Sequence, residues 1–167
     1  MLYHVSEHAD IARFEPRVTA TRPDAVVWAI HEARLHNYLL PRECPRVTYC
    51  ATPETTAADV ERFLGASRAV IAVESRWAEQ LFSTSLFCYQ LPEHTFVCAD
   101  AGAGYYVSHT AVAPRTMKSI PHPLLAIVQR AVEVRFLPSL RELGQAVVAS
   151  SLQFSLIRMR NAVPSAA

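Results

Sequence analysis

Leu2-Tyr3-His4-Val5-Ser6 reads as a short apolar strand at the start of the chain, with an imidazole in its middle and a hydroxyl at its end. A strand so close to a terminus frays unless it is paired on both sides, so its expected place is the middle of a sheet. Period-two alternation puts Leu2, His4 and Ser6 on one face and Tyr3 and Val5 on the other. Two readings of His4 follow. It is a hydrogen-bonded core residue, or it lines a ligand cleft whose walls are built by the rest of the chain.

Working outward, Glu7 to Phe14 is expected to form one helical turn. Glu15 to Pro23 is rich in Pro, Thr and Arg and reads as an irregular loop. Its arginines, Arg17 and Arg22, are either solvated charges or a grip for an anionic ligand. Ala25-Val26-Val27-Trp28-Ala29-Ile30 is a continuous apolar run of strand length, expected to be buried on both faces. A helix should follow from about His31 to Leu40, ahead of Pro41. A metal site can be drawn from His31, Glu32 and His36, but residues five apart share a helix face poorly.

Arg46–Cys50 is the next expected strand. Thr55 or Thr56 then caps a helix that runs to Leu64 and stops at Gly65, with Asp59 in its first turns. Ala69–Val73 is a fully apolar strand that delivers Glu74 to the start of a helix over Ser75–Leu81. A carboxylate at such a junction either caps backbone N–H groups or reaches into a cleft. Beyond Ser85 the texture is of short strands, at Leu86–Leu91, Thr95–Cys98, Gly104–Ser108 and Ala111–Ala113, with links short enough for an antiparallel meander. The loop Asp100-Ala101-Gly102-Ala103-Gly104 has the composition of a phosphate loop, but it precedes a strand and so has no helix N-terminus to offer.

Pro123–Val132 reads as a helix, Glu133–Leu137 as a short strand, and Ser139 as the cap of a further helix with Glu142 three residues on. Leu140, Leu143, Val147, Ser150, Phe154 and Ile157 mark one face of a helix reaching Arg160. Propensity allows a second solution: a break at Ser150-Ser151 and a strand over Leu152–Ile157.

The 167 residues suit one domain, here residues 1–162, with a loose tail over 163–167, and are enough for a core without disulfides. Hydrophobic residues make up 51% and charged ones 19%, the balance of a folded globular chain. Lys+Arg 16 against Asp+Glu 15 leaves net +1, too little to recruit nucleic acid or anionic lipid. The cations are almost all arginine, Lys118 being the only lysine, which suits bidentate anion contacts and equally a GC-rich genome. No signal segment and no apolar run of roughly 20 residues stands in the sequence, so a cytoplasmic protein is expected. Cys44, Cys50, Cys88 and Cys98 then stay reduced, and their spacing lacks a CxxC knuckle, so no metal is expected.

Three pieces stand in a telling order: Leu2–Ser6; Val27-Trp28-Ala29-Ile30 leading into a helix with Ala33 and Tyr38; and Gly104-Tyr105-Tyr106-Val107-Ser108 with Val112 and Pro114 downstream. This resembles the pattern of small bacterial ADP-ribosyltransferase-like proteins and the related RNA 2′-phosphotransferases. Nearly the full length is also similar to a family of uncharacterised bacterial proteins that share the LYHVS start and the closing Ile157-Arg158-Met159-Arg160-Asn161-Ala162. The first resemblance implies an α+β domain with a split, mostly antiparallel sheet flanked by helices and NAD in its cleft. It implies that His4 bonds the adenosine ribose and that Trp28 or Tyr38 stacks on the nicotinamide. Ser6, on the His4 face, and Arg17, in the arginine-bearing loop, are the further cofactor-binding candidates. A cationic nicotinamide gains from such an aromatic face. The chain departs from the pattern where the late strand should carry its catalytic acid, since it has Gly104, Tyr105 and Tyr106. His4, Tyr105 and Glu74 are the candidates for the catalytic role, with Asp100 as a further carboxylate that would have to reach in from elsewhere.

Two functions are carried forward. One is an NAD-type nucleotide-binding protein, an ADP-ribosyl or related transferase with an atypical or lost acid. The other is a non-enzymatic assembly protein acting as a dimer. A metal-dependent hydrolase built from His4, His31, His36 or His109 with Glu74 needs distant segments to converge.

Overall fold

In a computed structural model of the protein, residues 1–19 and 22–164 are described below. The opening stretch forms β1 (Leu2–Ser6) and is central, as its position demands. It lies antiparallel between β3 (Arg22–His31) and β6 (Leu86–Leu91). β2 (Arg17–Thr19) pairs with β3, so part of the expected loop is strand. β7 (Val97–Asp100), β8 (Tyr105–Ser108) and β9 (Thr116–Ile120) complete the order β7-β8-β3-β1-β6-β9, every pair antiparallel. The late strands are therefore not a meander. β8 adds to β3 and β9 to β6, because β1 and β3 already occupy the middle.

These strands belong to one compact unit, Met1–Tyr38 with Ser85–Pro121. Its core gathers Leu2, Phe14, Val27, Ala29, Tyr89, Leu91 and Val112. Glu7 to Phe14 does not make the expected helical turn. Phe14 N–H donates to the Val112 carbonyl at 2.8 Å and Val112 N–H returns to Phe14 at 2.9 Å, which commits this segment to an isolated bridge. After β3 the chain enters a 3-10 helix over Glu32–Tyr38 in place of the longer helix expected from His31.

Leu39–Thr84 and the chain from His122 onward make a second compact unit. Its sheet runs β10-β5-β4-β11 through β4 (Arg46–Cys50), β5 (Ala69–Glu74), β10 (Val132–Leu137) and β11 (Gln153–Ile157). Only β5 and β10 are parallel, joined by the long crossover that parallel pairing requires. Thr56 caps the helical segment α1 (Ala57–Asp59) by accepting the Asp59 N–H at 3.2 Å; the chain then widens into π-helical turns over Val60–Leu64 and reverses at Gly65 with φ +57°. α2 (Ala78–Ser83) and α3 (Pro123–Val128) follow.

The choice left open at Ser150 falls to the strand. α4 (Arg141–Val148) ends where Ser150 Oγ takes the Val147 carbonyl at 2.7 Å and accepts the Leu152 N–H at 3.2 Å. Such side-chain bonds compete with helix continuation, and Asp59 accepts both the backbone N–H and the hydroxyl of Ser151. Val47, Tyr49, Phe63, Leu64, Val70, Ala72, Leu140, Val147 and Leu152 form the core beneath. The architecture is α+β with one antiparallel and one mixed sheet, and among the described residues no helix is long and apolar enough to cross a membrane.

Candidate functional site

His4 is half-buried. Its Nδ1 lies 2.9 Å from the Trp28 carbonyl and its ring stands 4.6 Å from that of Phe14, which in turn meets Tyr89 edge-on at 5.3 Å. Tyr89 donates its hydroxyl to the His8 carbonyl at 2.7 Å and accepts the Ile11 N–H. The segment after β1 is thus drawn over the imidazole. Ser6 Oγ accepts the His8 N–H at 3.1 Å, a local turn bond.

Register decides which predicted residues meet. Tyr3 pairs with Ile30, and Ile30 with Tyr105, so these three share a face, and alternation adds Trp28 to it. Leu2 pairs with His31 and Ala29 with Tyr106, so Leu2, His4, Ala29, His31 and Tyr106 occupy the opposite face. The expected cleft floored by His4, Trp28 and Tyr105 together does not form, because an aromatic one residue out of phase in a strand looks the other way. Trp28, Tyr38 and Tyr105 do come together: Trp28 and Tyr105 meet edge-on at 5.8 Å, and Tyr38 donates its hydroxyl to that of Tyr105 at 2.8 Å. Arg17 is exposed on β2.

Glu74 belongs to the second unit; its side chain is fully enclosed, and it accepts from Arg76 Nε at 2.9 Å and from the Val163 backbone N–H at 2.8 Å. A carboxylate at a strand end here satisfies orphan backbone and guanidinium donors, the structural one of its two expected roles. Val163, expected to be loose, is tied down by this bond and by Arg141; residues 165–167 of the expected tail lie outside the described residues.

A concave site does exist on the face that carries His4. At the end of β3 a half-open hollow of about 220 Å³ is lined by His31, Ala33, Arg34, Ala101, Gly104 and Tyr106. The His31 N–H donates to the Gly104 carbonyl at 2.8 Å, which staples the strand end to the 100–104 turn. Within that turn Asp100 Oδ1 accepts the Ala103 N–H at 2.9 Å. Gly104 has φ +72°, and a Cβ there would stand 2.9 Å from Cγ and 3.2 Å from Cβ of Arg34. Only glycine lets the turn and the arginine stem approach so closely. His31 Nδ1 accepts the Ala33 N–H at 3.3 Å, so in the neutral ring the proton sits on Nε2, leaving a donor that a ligand oxygen can use. The His31 and Tyr106 rings lie 6.2 Å apart, tilted by 33°. A guanidinium, an imidazole, a phenol ring and a glycine turn suit an anion attached to a small polar body.

The glycine loop was visible in the sequence. Its partner was not, because Arg34 lies 70 residues upstream and reaches the loop only through the β3–β8 pairing. Among the described residues no group of three or more His, Cys, Asp or Glu side chains is placed to hold a metal ion, and His31 and His36 do not form one with Glu32.

Residues 3–162 match the model of a protein family described as a family of unknown function, DUF6886, and the chain belongs to it. No curated protein and no solved structure matches the chain.

Proposed function

We propose that this member of DUF6886 binds a nucleotide-type small molecule through an anionic group held in the His31–Arg34–Tyr106 hollow. The observation that supports the reading is the convergence of Arg34, His31 and the Gly104 turn on one concavity of about 220 Å³. That volume is below the roughly 300–1,000 Å³ of pockets that enclose a whole drug-sized ligand. It suits one end of a nucleotide, a phosphate with its sugar, while the remainder lies outside. The narrower reading, an ADP-ribosyltransferase-like protein using NAD, rests on the sequence pattern. It would need a carboxylate near the ribose, and Asp100, at the base of the turn, is better placed than the enclosed Glu74.

Thermal melting with AMP, ADP-ribose and NAD tests both. A ligand at a hundred times its Kd stabilises by about 2.7 kcal/mol, a rise of roughly 5–10 °C for a chain of this size. The rise should vanish in Arg34→Ala. If none of the three shifts the melt at millimolar concentration, or Arg34→Ala shifts as wild type does, the hollow is not the site. Turnover of NAD, lost in Asp100→Asn, would support the transferase reading.

A second reading, self-assembly, is favoured by Phe82, which is 71% exposed and stacks on Phe136 at 6.3 Å, with exposed Leu125 and Val128 in the same unit. Light scattering separates them: a dimer that Phe82→Ser converts to monomer supports assembly, and a strict monomer removes it.

A further inference from the structure

The closing motif Ile157–Ala162 has no part in the hollow, and it builds a second polar site. β11 ends at Ile157, Arg158 takes the left-handed region at φ +55°, and a 3-10 turn covers Met159–Asn161. Met159 packs on the core of the second unit, which turns the flanking side chains outward. Arg160 Nη2 donates to Glu43 Oε2 at 3.0 Å, and Arg158 Nε lies 3.4 Å from Glu43 Oε1 while donating to the Arg42 carbonyl at 3.2 Å. Asn161 Nδ2 donates to the Glu43 carbonyl at 2.7 Å and to Oε2 at 2.9 Å. Arg76 donates to the Asn161 carbonyl and to Glu74. Two guanidinium groups therefore leave one short turn, and a third, from Arg76, is bonded to its backbone.

From this geometry we propose that Arg76, Arg158 and Arg160 form a binding site for a phosphate group. Charge is the first reason. The three segments that meet here, 41–46, 74–76 and 157–163, carry five arginines against two glutamates, in a chain whose net charge is only +1. Glu74 is wholly enclosed, and Glu43 is shared between two guanidiniums and an amide. The donor inventory is the second. A guanidinium offers five N–H groups in a planar fork. Arg160 spends one on Glu43, and Arg76 spends Nε and Nη2 on protein oxygens, while their side chains are 62% and 52% exposed. The third is the backbone at Arg158. Its left-handed conformation ends β11 and starts the turn that carries both Arg158 and Arg160, so the two guanidiniums leave the backbone within three residues of each other. A tetrahedral dianion presents acceptor oxygens in three dimensions and can take donors from three directions at once, whereas the acceptor sites of a carboxylate lie in one plane.

The test is amide hydrogen exchange over residues 41–44 and 157–163 of the full chain, with inorganic phosphate or glycerol 3-phosphate titrated against chloride at constant ionic strength. Phosphate should slow exchange in both segments. Arg160→Gln and Arg158→Gly should each weaken that effect about tenfold, although Arg158→Gly relieves the backbone. Arg34→Ala should leave it unchanged, which separates this site from the hollow. Tighter binding of glycerol 3-phosphate marks a phosphomonoester ligand, and equal binding marks the free ion. No protection by either probe, undiminished protection in both motif variants, or loss of protection in Arg34→Ala overturns the proposal.

Discussion

Replacing Gly104 by alanine measures how strongly the hollow depends on its glycine. The backbone there is left-handed, φ +72°, a region that costs an L-residue about 1–2 kcal/mol. The added methyl would also meet Arg34 Cγ at 2.9 Å and Cβ at 3.2 Å. These atoms are the stem of the side chain and not its mobile tip, so the contact is relieved only by moving the 3-10 helix or the turn. Overpacking of this kind costs about 1–3 kcal/mol. The two terms together give about 2–5 kcal/mol, a melting decrease of roughly 4–20 °C. Arg34→Ala removes the 2.9 Å contact but not the backbone strain. The double variant should therefore recover about 1–2 kcal/mol relative to Gly104→Ala alone, a coupling well above the scatter of additive pairs. Urea unfolding of the four proteins of this cycle, in a Trp77→Phe background, follows the first unit through Trp28 fluorescence. A Gly104→Ala protein within about 0.5 kcal/mol of wild type, or a double variant no more stable than Gly104→Ala, would refute the steric account.

Two further outcomes follow from groups in the second unit. Cys44 is fully buried and burial pushes its thiol up to about 12, so it should resist alkylation in the native protein while exposed Cys98 reacts first; equal native rates, read by peptide mass spectrometry, would contradict this. Glu133 is held below its ordinary 4.5 by the hydrogen bond from Arg135 and then by that from Ser67. Its contribution is therefore complete above that ordinary value and is lost as pH falls through the lower folded one. Urea midpoints measured from neutral pH downward should decline less steeply in Glu133→Gln, and an unchanged slope would remove Glu133 from the acid response.

What could be read from the chain divides along physical lines. β4, β5, the Thr56 cap and the Gly65 stop were legible because each is set by neighbours within a few residues. The central place of β1 was legible because an unpaired terminal strand frays. Membership of a face was not, since it depends on Tyr3 meeting Ile30 and Ile30 meeting Tyr105, pairings across 27 and 75 residues that local pattern does not encode. One step of register separates His4 from Trp28, and that step decides whether an aromatic cleft exists. The loop at 100–104 was set aside because it precedes a strand. What gives it chemistry is Arg34, whose stem fits only against a residue without a Cβ.

β1 pairs with β6 over five residues but with β3 over only two, Leu2–His31 and Tyr3–Ile30. Just beyond that second pair, the imidazole Nδ1 meets the Trp28 carbonyl at 2.9 Å. A histidine is thus supplying a donor where the ladder between the two strands ends, a reason for its presence that needs no ligand. Leaving that carbonyl unbonded costs about 1–3 kcal/mol, and His4→Ala also loses the ring contact with Phe14. Asparagine carries an N–H at the position of Nδ1. If the role is structural, His4→Asn should restore about half or more of the 1–3 kcal/mol, and any nucleotide-induced melting shift should survive in it. If a ligand uses the imidazole, His4→Asn should keep the stability and lose the shift, and that result would return His4 to the binding site from which its hydrogen bond now separates it.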